Sequence, residues 1–307
     1  MFLARRDDII KMFMLEAEAL KARFYHITTG IRRKVYGSSE EEQCAFLLYI
    51  HRKLLFEVNM KLNDFFKIHN RVAIAFSGGV DSAYLLYAAK RCGAQVRAYY
   101  VKSVFQPQFE LDDALRFARE LDVPVRILKA DVLSSDIIAS NPPDRCYYCK
   151  RMIFEAIVKA AAEDGFTELL DGTNASDDAG DRPGMRALRE LSVLSPLREC
   201  GLTKAEIRQR SREAGLFTWD KPAYACLATR IPAGETITSE KLAATEAAED
   251  FLFSLGLKDF RVRMLGEAAR IQVPEAQLGR IIENREKILA ELKRHYSSVL
   301  LDLEVRK

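Results

Sequence analysis

A short segment rich in glycine and serine carries the strongest chemical signal in this chain. It reads Ser-Gly-Gly-Val-Asp-Ser over 77–82 and directly follows the apolar run 71–76. A strand that turns into a helix in this way leaves backbone N–H groups free at the helix N-terminus, where they bind anions. The segment has no lysine and matches neither the Walker nor the dinucleotide-binding pattern. It predicts a site for nucleotide phosphates, to which we assign Ser77, Gly78, Gly79, Asp81 and Ser82.

Cysteines form the second candidate group. Cys146 and Cys149 stand in a C-x-x-C spacing just before a predicted helix, and Cys226 lies much later in the chain. A helix N-terminus lowers the pKa of thiols placed there, so the pair is expected to be reactive or metal-binding. The spacing alone leaves open two unrelated sites, a zinc site with a further ligand, and an iron–sulfur site.

Composition limits the class of protein. The 307 residues are 49% hydrophobic and 30% charged, with a formal net charge of +3. Such a chain can bury a core, and its near-balanced charge does not favour a general nucleic-acid binder. We find no apolar run of about 18 residues and no secretory leader, so we expect no membrane span and a cytoplasmic protein. In that compartment the six cysteines are not expected to form a disulfide framework.

Alternating strands and helices must position these residues. The predicted strands are 71–76, 95–101, 124–128, 168–171 and 193–197, and the helices between and after them are 81–91, 110–121, 147–162 and 203–214. This alternation predicts a doubly wound parallel sheet, an α/β fold whose ligands bind beyond the carboxyl ends of the strands. Ser77, Asp131 and Asp171 follow strands at that edge.

The C-terminal part follows another pattern. We predict a helix over 239–255, a hairpin of 260–265 and 268–273 about Gly266, a helix over 275–292 and a strand over 299–305. The predicted domains are therefore a helical N-terminal extension over 1–59, an α/β nucleotide-binding domain over 60–234 and a smaller α+β domain over 235–307. A native start at Met60 is a further possibility, and the extension is a candidate contact surface.

The phosphate-loop motif resembles that of the PP-loop ATP pyrophosphatases. A longer series of motifs resembles one family within that group, the LarE sulfur transferases of nickel-pincer cofactor biosynthesis. After the phosphate loop, the series is Cys-Tyr-Tyr-Cys-Lys at 146–150, Asp-Gly-Thr-Asn at 171–174, Asp-Arg-Pro-Gly-Met-Arg at 181–186, Ala-Cys-Leu-Ala-Thr-Arg-Ile-Pro at 225–232 and Phe-Arg-Val-Arg-Met at 260–264. The resemblance spans about residue 60 to the C-terminus.

This resemblance implies an activity and a set of site residues. The family uses ATP and Mg2+ to adenylate a carboxylate of pyridinium-3,5-dicarboxylate mononucleotide and converts that carboxylate to a thiocarboxylate. Cys226 and Glu249 would then act in catalysis, although Glu249 also fits an ordinary helix-surface glutamate. The nucleotide would be bordered by Asp171, Gly172 and Thr173. Anionic substrate groups would be bound by Arg182, Arg186, Arg261 and Arg263, for which solvated surface charges are the alternative.

The same resemblance links the cysteines. In some family members the cysteine at the position of Cys226 stands alone and gives up its own sulfur. Other members combine this cysteine with a C-x-x-C pair. This chain is of the second type, which implies a [4Fe-4S] cluster on Cys146, Cys149 and Cys226. The sulfur source stays open among Cys226 itself, a persulfide and sulfide on an open iron.

Three other functions compete with this interpretation. A tRNA 2-thiolation enzyme would share the phosphate loop, but the chain has no zinc-finger pairs or basic arm. An ammonia-using ligase of the NAD or GMP synthetase kind would not need three cysteines, and a nucleotide-binding redox regulator would not release pyrophosphate. We expect the small-molecule substrate as partner, no nucleic acid and no membrane, and a homo-oligomer.

Overall fold

The computed structural model describes residues 61–177 and 183–306. These residues belong to one compact unit. The predicted N-terminal helical extension and Arg182 lie outside the described residues. The domain boundary between 234 and 235 stays a prediction.

A four-stranded parallel sheet is the centre of the first region. Its strands are β1 (Arg71–Ala75), β2 (Gln95–Lys102), β3 (Val125–Lys129) and β4 (Leu169–Leu170), in the order β3-β2-β1-β4. The order reverses between β1 and β4, since β1 pairs with both β2 and β4. The crevice at such a reversal is where doubly wound sheets bind ligands.

Helices cover both sides of this sheet. The helices are α1 (Leu62–Ile68), α2 (Val80–Arg91), α3 (Gln108–Glu120), α4 (Asp136–Ala139), α5 (Arg145–Glu163), α6 (Pro183–Glu190), α7 (Pro196–Glu199) and α8 (Lys204–Glu213). Val72 and Ile74 pack with α2, α3 and α8, whereas Ala73 packs with α5 and α6. This alternation follows from the two-residue period of a strand, and it confirms the predicted doubly wound fold.

The predicted strand at 193–197 forms only a single bridge. Leu194 pairs in parallel with Leu170. The chain then turns into α7, where Pro196 is the first residue. Proline is favoured at a helix start and lacks the N–H that a strand ladder needs, so the strand ends before it.

A separate three-stranded sheet follows the 3₁₀ turn Leu227–Arg230. After α9 (Ser239–Ser254) come β5 (Arg261–Leu265), β6 (Ala268–Gln272), α10 (Leu278–Glu283), α11 (Arg285–Leu292) and β7 (Ser298–Leu301). β5 and β6 form the predicted antiparallel hairpin, and β7 joins β6 in parallel. The helix predicted over 275–292 is broken, because Asn284 ends α10 and precedes α11. The described residues include no helix that is long and apolar enough to span a membrane.

Candidate functional site

The phosphate loop lies at the carboxyl end of β1, where it leads into α2. Gly78 has a φ of 73° and its missing Cβ would stand 3.0 Å from the Cβ of Ala114, so this tight turn requires glycine. The hydroxyl groups of Ser77 and Ser82 are 3.0 Å apart, and the Ser77 backbone N–H donates to the Ser82 Oγ at 3.3 Å. The loop therefore presents hydroxyls and backbone amides at the N-terminus of a 12-residue helix.

The segment after β4 approaches this loop closely. A Cβ on Gly172 would lie 2.8 Å from the backbone nitrogen of Ser82, a distance that only glycine permits. Asp171 is buried and accepts hydrogen bonds from the hydroxyls of Thr173 and Ser195, the latter at 2.6 Å. The predicted nucleotide-binding residues of the two loops thus meet across the crevice between β1 and β4.

A lysine from a distant helix completes the phosphate-loop side. Lys204, the first residue of α8, contacts an Asp81 carboxylate oxygen at 2.6 Å. Burial raises the pKa of Asp81, although the hydrogen bond and charge of Lys204 lower it. The second oxygen, Oδ1, is buried without a hydrogen-bond partner. Sequence reasoning missed Lys204, because nothing in its local sequence distinguishes it from a solvent-exposed lysine.

One cavity of about 470 Å³ joins these groups to Cys226. Its lining includes Ser77, Gly79, Asp81, Ser82, Asp171, Gly172, Thr173, Lys204, Lys150, Lys221, Tyr224 and Cys226. A thiol and the phosphate loop therefore face the same space. Lys150 follows Cys149 directly in the sequence and brings a cationic side chain to the cavity, a role that the C-x-x-C motif alone did not indicate.

The other two candidate thiols lie on the first turns of α5. Cys146 is exposed and Cys149 is buried, and neither is among the lining residues of the cavity. Burial, with smaller contributions from the nearby thiols of Cys226 and Cys146, raises the pKa of Cys149 to about 12. The expectation of a lowered pKa is wrong for Cys149, because burial disfavours the charged thiolate.

The three thiols are thus close enough to interact electrostatically, and Cys149 and Cys226 share one apolar cluster with Phe105 and Leu227. Within the described residues, no three cysteine, histidine or acidic side chains converge enough to hold a single metal ion.

Arg186 supports the cysteine-bearing helix. Its guanidinium lies over the Tyr147 ring, 3.8 Å from the centroid, and Tyr147 donates to Glu190 at 2.7 Å. Lys150, on the cysteine-bearing helix α5, packs closely against α6. A Cβ added to Gly184 of α6 would lie 2.9 Å from Lys150 Cδ. The predicted substrate role of Arg186 stays a prediction.

Glu249 lies in the interior and does not stand on the helix surface. Its exposed fraction is 1%, and its carboxylate forms a buried ion pair with Arg230 at 2.9 Å. Tyr224 and the Val262 backbone N–H also donate to it. Burial therefore excludes the surface alternative, and Glu249 is not among the lining residues of the cavity.

Arg261 and Arg263 point to the same side of β5, as their spacing predicted. Arg261 is 4% exposed and donates to the carbonyl of Ala223, whereas Arg263 donates to the carbonyl of Thr229 at 3.0 Å. Burial and the positive charges of Arg230 and Arg306 lower the pKa of Arg261 to about 10. The same two causes lower the pKa of Arg263. This region therefore carries an excess of positive charge.

Comparison with known proteins identifies similar chains. The chain is 36% identical over 236 residues to a pyridinium-3,5-bisthiocarboxylic acid mononucleotide synthase of Lactiplantibacillus plantarum. The aligned region covers 76% of this chain and 86% of that protein. It is 30% identical to an uncharacterised protein of Methanocaldococcus jannaschii over 82% of this chain and 97% of that one. No family model matches the chain.

A more distant group of relatives matches only about half of the chain. A tRNA-specific 2-thiouridylase of Clostridium botulinum is 28% identical over 182 residues, which is 49% of this chain and 52% of that enzyme. These relatives support the predicted PP-loop fold.

Proposed function

The chain belongs to the LarE family of ATP-dependent sulfur transferases, and we propose that it converts a carboxylate of pyridinium-3,5-dicarboxylate mononucleotide to a thiocarboxylate. One observation supports this function above all others: the phosphate loop and the thiol of Cys226 line the same cavity. A nucleotide held by that loop would have its reacting end in the space that the thiol faces.

The first step activates the carboxylate, which is a poor electrophile. A substrate carboxylate attacks the α-phosphate of ATP, forms an acyl-adenylate and releases pyrophosphate. The amides of the phosphate loop, the Ser77 and Ser82 hydroxyls and the Lys204 ammonium offset the negative charge on the leaving group. In the second step sulfur attacks the adenylate, and AMP leaves.

Mg2+ fits the polar end of the cavity. Asp81 Oδ1 is a buried carboxylate oxygen without a hydrogen-bond partner, and Asp171 lies across the crevice. Oxygen ligands of this kind are those that Mg2+ prefers, together with phosphate oxygens and water. We propose that Asp81 and Asp171 contribute to holding the ion, which would neutralise charge on the phosphates.

A [4Fe-4S] cluster fits the cysteines. Cys146, Cys149 and Cys226 are three soft ligands, two of them in an apolar cluster. The cysteines of a cubane cluster bind different irons, so they need not converge on one ion. We propose these three as its ligands. The cluster would supply an open iron able to carry sulfide.

Substrate recognition is proposed for the arginines of the small sheet. Arg261 and Arg263 lie beside the segment that carries Cys226, in the region of excess positive charge, and a mononucleotide phosphate would reduce their mutual repulsion. Arg182 and Arg186 are proposed for other anionic groups of the ligands. A homo-oligomeric state and a cytoplasmic location stay predictions.

The function is tested with full-length protein purified without oxygen. We expect pyrophosphate when ATP, Mg2+ and the mononucleotide are present. AMP and a product in which sulfur replaces one carboxylate oxygen should appear only when a sulfur source is present as well. Release of pyrophosphate with bulk tRNA instead of the mononucleotide would contradict the proposal and favour a tRNA 2-thiolation enzyme.

The sulfur source is tested on the same samples. Iron and sulfide bound to the purified protein, with an unchanged mass at Cys226 after turnover, would support the cluster route. Loss of one sulfur and two hydrogens at Cys226 would identify that residue as the donor and overturn the cluster route.

A further inference from the structure

We infer that Glu249 is a positioning residue, which fixes the turn that carries Cys226 by binding the residues on both sides of it. The inference rests on the proposed role of Cys226 in sulfur transfer. It assigns Glu249 a different task from the direct catalytic role that the family resemblance implied.

The Arg230 side chain connects Glu249 to the turn. Its Nε and Nη2 atoms donate to the two carboxylate oxygens of Glu249 at 2.9 and 3.0 Å. The remaining nitrogen, Nη1, donates to the carbonyl of Ala225 at 2.9 Å and to that of Cys226 at 3.4 Å. One edge of the planar guanidinium therefore binds the acid, and the other binds the backbone of the cysteine itself.

Tyr224 provides a second connection from the other side of Cys226. Its hydroxyl donates to Glu249 Oε2, and the Arg230 guanidinium lies 4.6 Å from its ring centroid. Tyr224 also lines the cavity. One carboxylate on α9 thus holds residues 224 and 230, so the intervening backbone is fixed at both ends.

The ion pair of Arg230 and Glu249 is fully buried. Its electrostatic attraction alone is therefore not expected to stabilise the fold. The Arg230 and Glu249 side chains are 0% and 1% exposed. Buried ion pairs seldom stabilise more than a well-packed apolar pair would, because desolvation offsets their attraction. Their directional bonds do restrict geometry, and a nucleophile displaced by about 1 Å can lose about 100-fold in rate. The network is therefore suited to holding Cys226, as sulfur donor or as cluster ligand, at a fixed place in the cavity.

The test compares the full-length wild type, Glu249→Gln, Tyr224→Phe and Asp250→Asn. Asp250 is exposed and adjacent on α9, so its variant is the matched control. Iron is first removed with a chelator. The rate of alkylation at Cys226 by iodoacetamide is then measured by mass spectrometry, with Cys92, at the end of α2, as internal reference. This readout does not depend on whether the proposed function is correct.

We expect Cys226 to be alkylated at least fivefold faster in Glu249→Gln and about twofold faster in Tyr224→Phe, with Cys92 unchanged in both. Asp250→Asn should match the wild type at both cysteines. In turnover assays the rate of thiocarboxylate formation by Glu249→Gln should be at least tenfold lower than that of the wild type. Its KM for ATP should stay within twofold of the wild-type value.

Two outcomes would overturn the inference. Equal alkylation of Cys226 in the wild type and both network variants would mean that the carboxylate does not fix the turn. Parallel acceleration at Cys226 and Cys92 would indicate general loosening of the fold. A wild-type protein that fails to make thiocarboxylate, combined with selective acceleration at Cys226, would refute the proposed function and leave the positioning role intact.

Discussion

Identical residue types acquire different properties here from their surroundings. Cys149 is buried, which raises the pKa of its thiol to about 12, whereas Cys226 is half-buried and faces the cavity. Asp81 and Asp171 both follow parallel strands, yet Asp171 accepts two hydroxyl hydrogen bonds while one oxygen of Asp81 has no partner. Sequence spacing placed all four residues near the site, but only tertiary packing sets these differences.

Replacing Lys204 tests the electrostatics of the phosphate loop. Lys204→Met removes the cation that lowers the pKa of Asp81, so that pKa should rise further above its usual value. The pH at which ATP affinity falls on the acid side should therefore move to a higher value. The KM for ATP should rise about tenfold, through loss of an interaction worth about 1.5 kcal/mol. Titration of ATP affinity between pH 4 and 8 measures both changes.

Lys287→Met is the control for this variant, because Lys287 is exposed on α11. It should leave the pH profile unchanged. A Lys204→Met profile that superimposes on that of the wild type would show that Lys204 does not act on the site.

At the scale of elements, the site depends on the close approach of two loops. The glycine after β4 lies against the backbone of the phosphate loop. In Gly172→Ala the added methyl group would force the loops apart, and overpacking of this kind costs about 1–3 kcal/mol. We expect the KM for ATP to rise at least tenfold, together with a lower free energy of unfolding.

Gly279→Ala is the matched control, since nothing lies within 4 Å of a Cβ at that position in α10. It should be neutral or stabilise by about 0.4–1 kcal/mol. If Gly172→Ala bound ATP as tightly as the wild type, the close contact of the two loops would not be needed for the nucleotide site.

Asp164 joins three elements of the α/β region and gives a pH-dependent prediction. It follows α5 and binds Arg97 and Tyr99 of β2, both at 2.8 Å, and Arg126 of β3 at 3.1 Å. The hydrogen bonds from Arg97 and Tyr99 lower the pKa of Asp164 from 3.8 to about 2. The folded state therefore binds a proton at Asp164 more weakly than the unfolded chain does. The stabilisation of the fold by ionised Asp164 is present above about pH 4 and is lost as the pH falls through about 2.

Asp164→Asn should therefore unfold at lower urea concentration than the wild type at pH 7. Its free energy of unfolding should fall less steeply than that of the wild type between pH 4 and pH 2. Parallel curves for the two proteins over this interval would contradict the assigned role.

The sequence allowed most of the element pattern to be predicted, for identifiable reasons. Alternating apolar runs predicted the parallel strands, and the glycine and serine turn predicted the phosphate loop. The break of the 275–292 helix at Asn284 and the loss of the strand at 193–197 depend on local capping and on Pro196. Lys204 and the Arg230–Glu249 pair could not be predicted, because each contact joins residues distant in sequence.

At the scale of the whole molecule, two sheets contribute different parts of one site. The parallel sheet supplies the phosphate loop and the segment after β4, while α9 and β5 hold the turn with Cys226 through Glu249, Arg261 and Arg263. The distant 2-thiouridylases match only about half of this chain. The relatives that match most of the chain include the pyridinium-3,5-bisthiocarboxylic acid mononucleotide synthase.

The central claim is that a carboxylate activated by the nucleotide receives its sulfur beside Cys226, within one cavity. The most direct measurement is a single-turnover comparison of the wild type with Cys226→Ser, following pyrophosphate and thiocarboxylate in the same samples. We predict that the variant releases pyrophosphate within twofold of the wild-type rate and forms no detectable thiocarboxylate. Thiocarboxylate formation at the wild-type rate in Cys226→Ser would contradict the account.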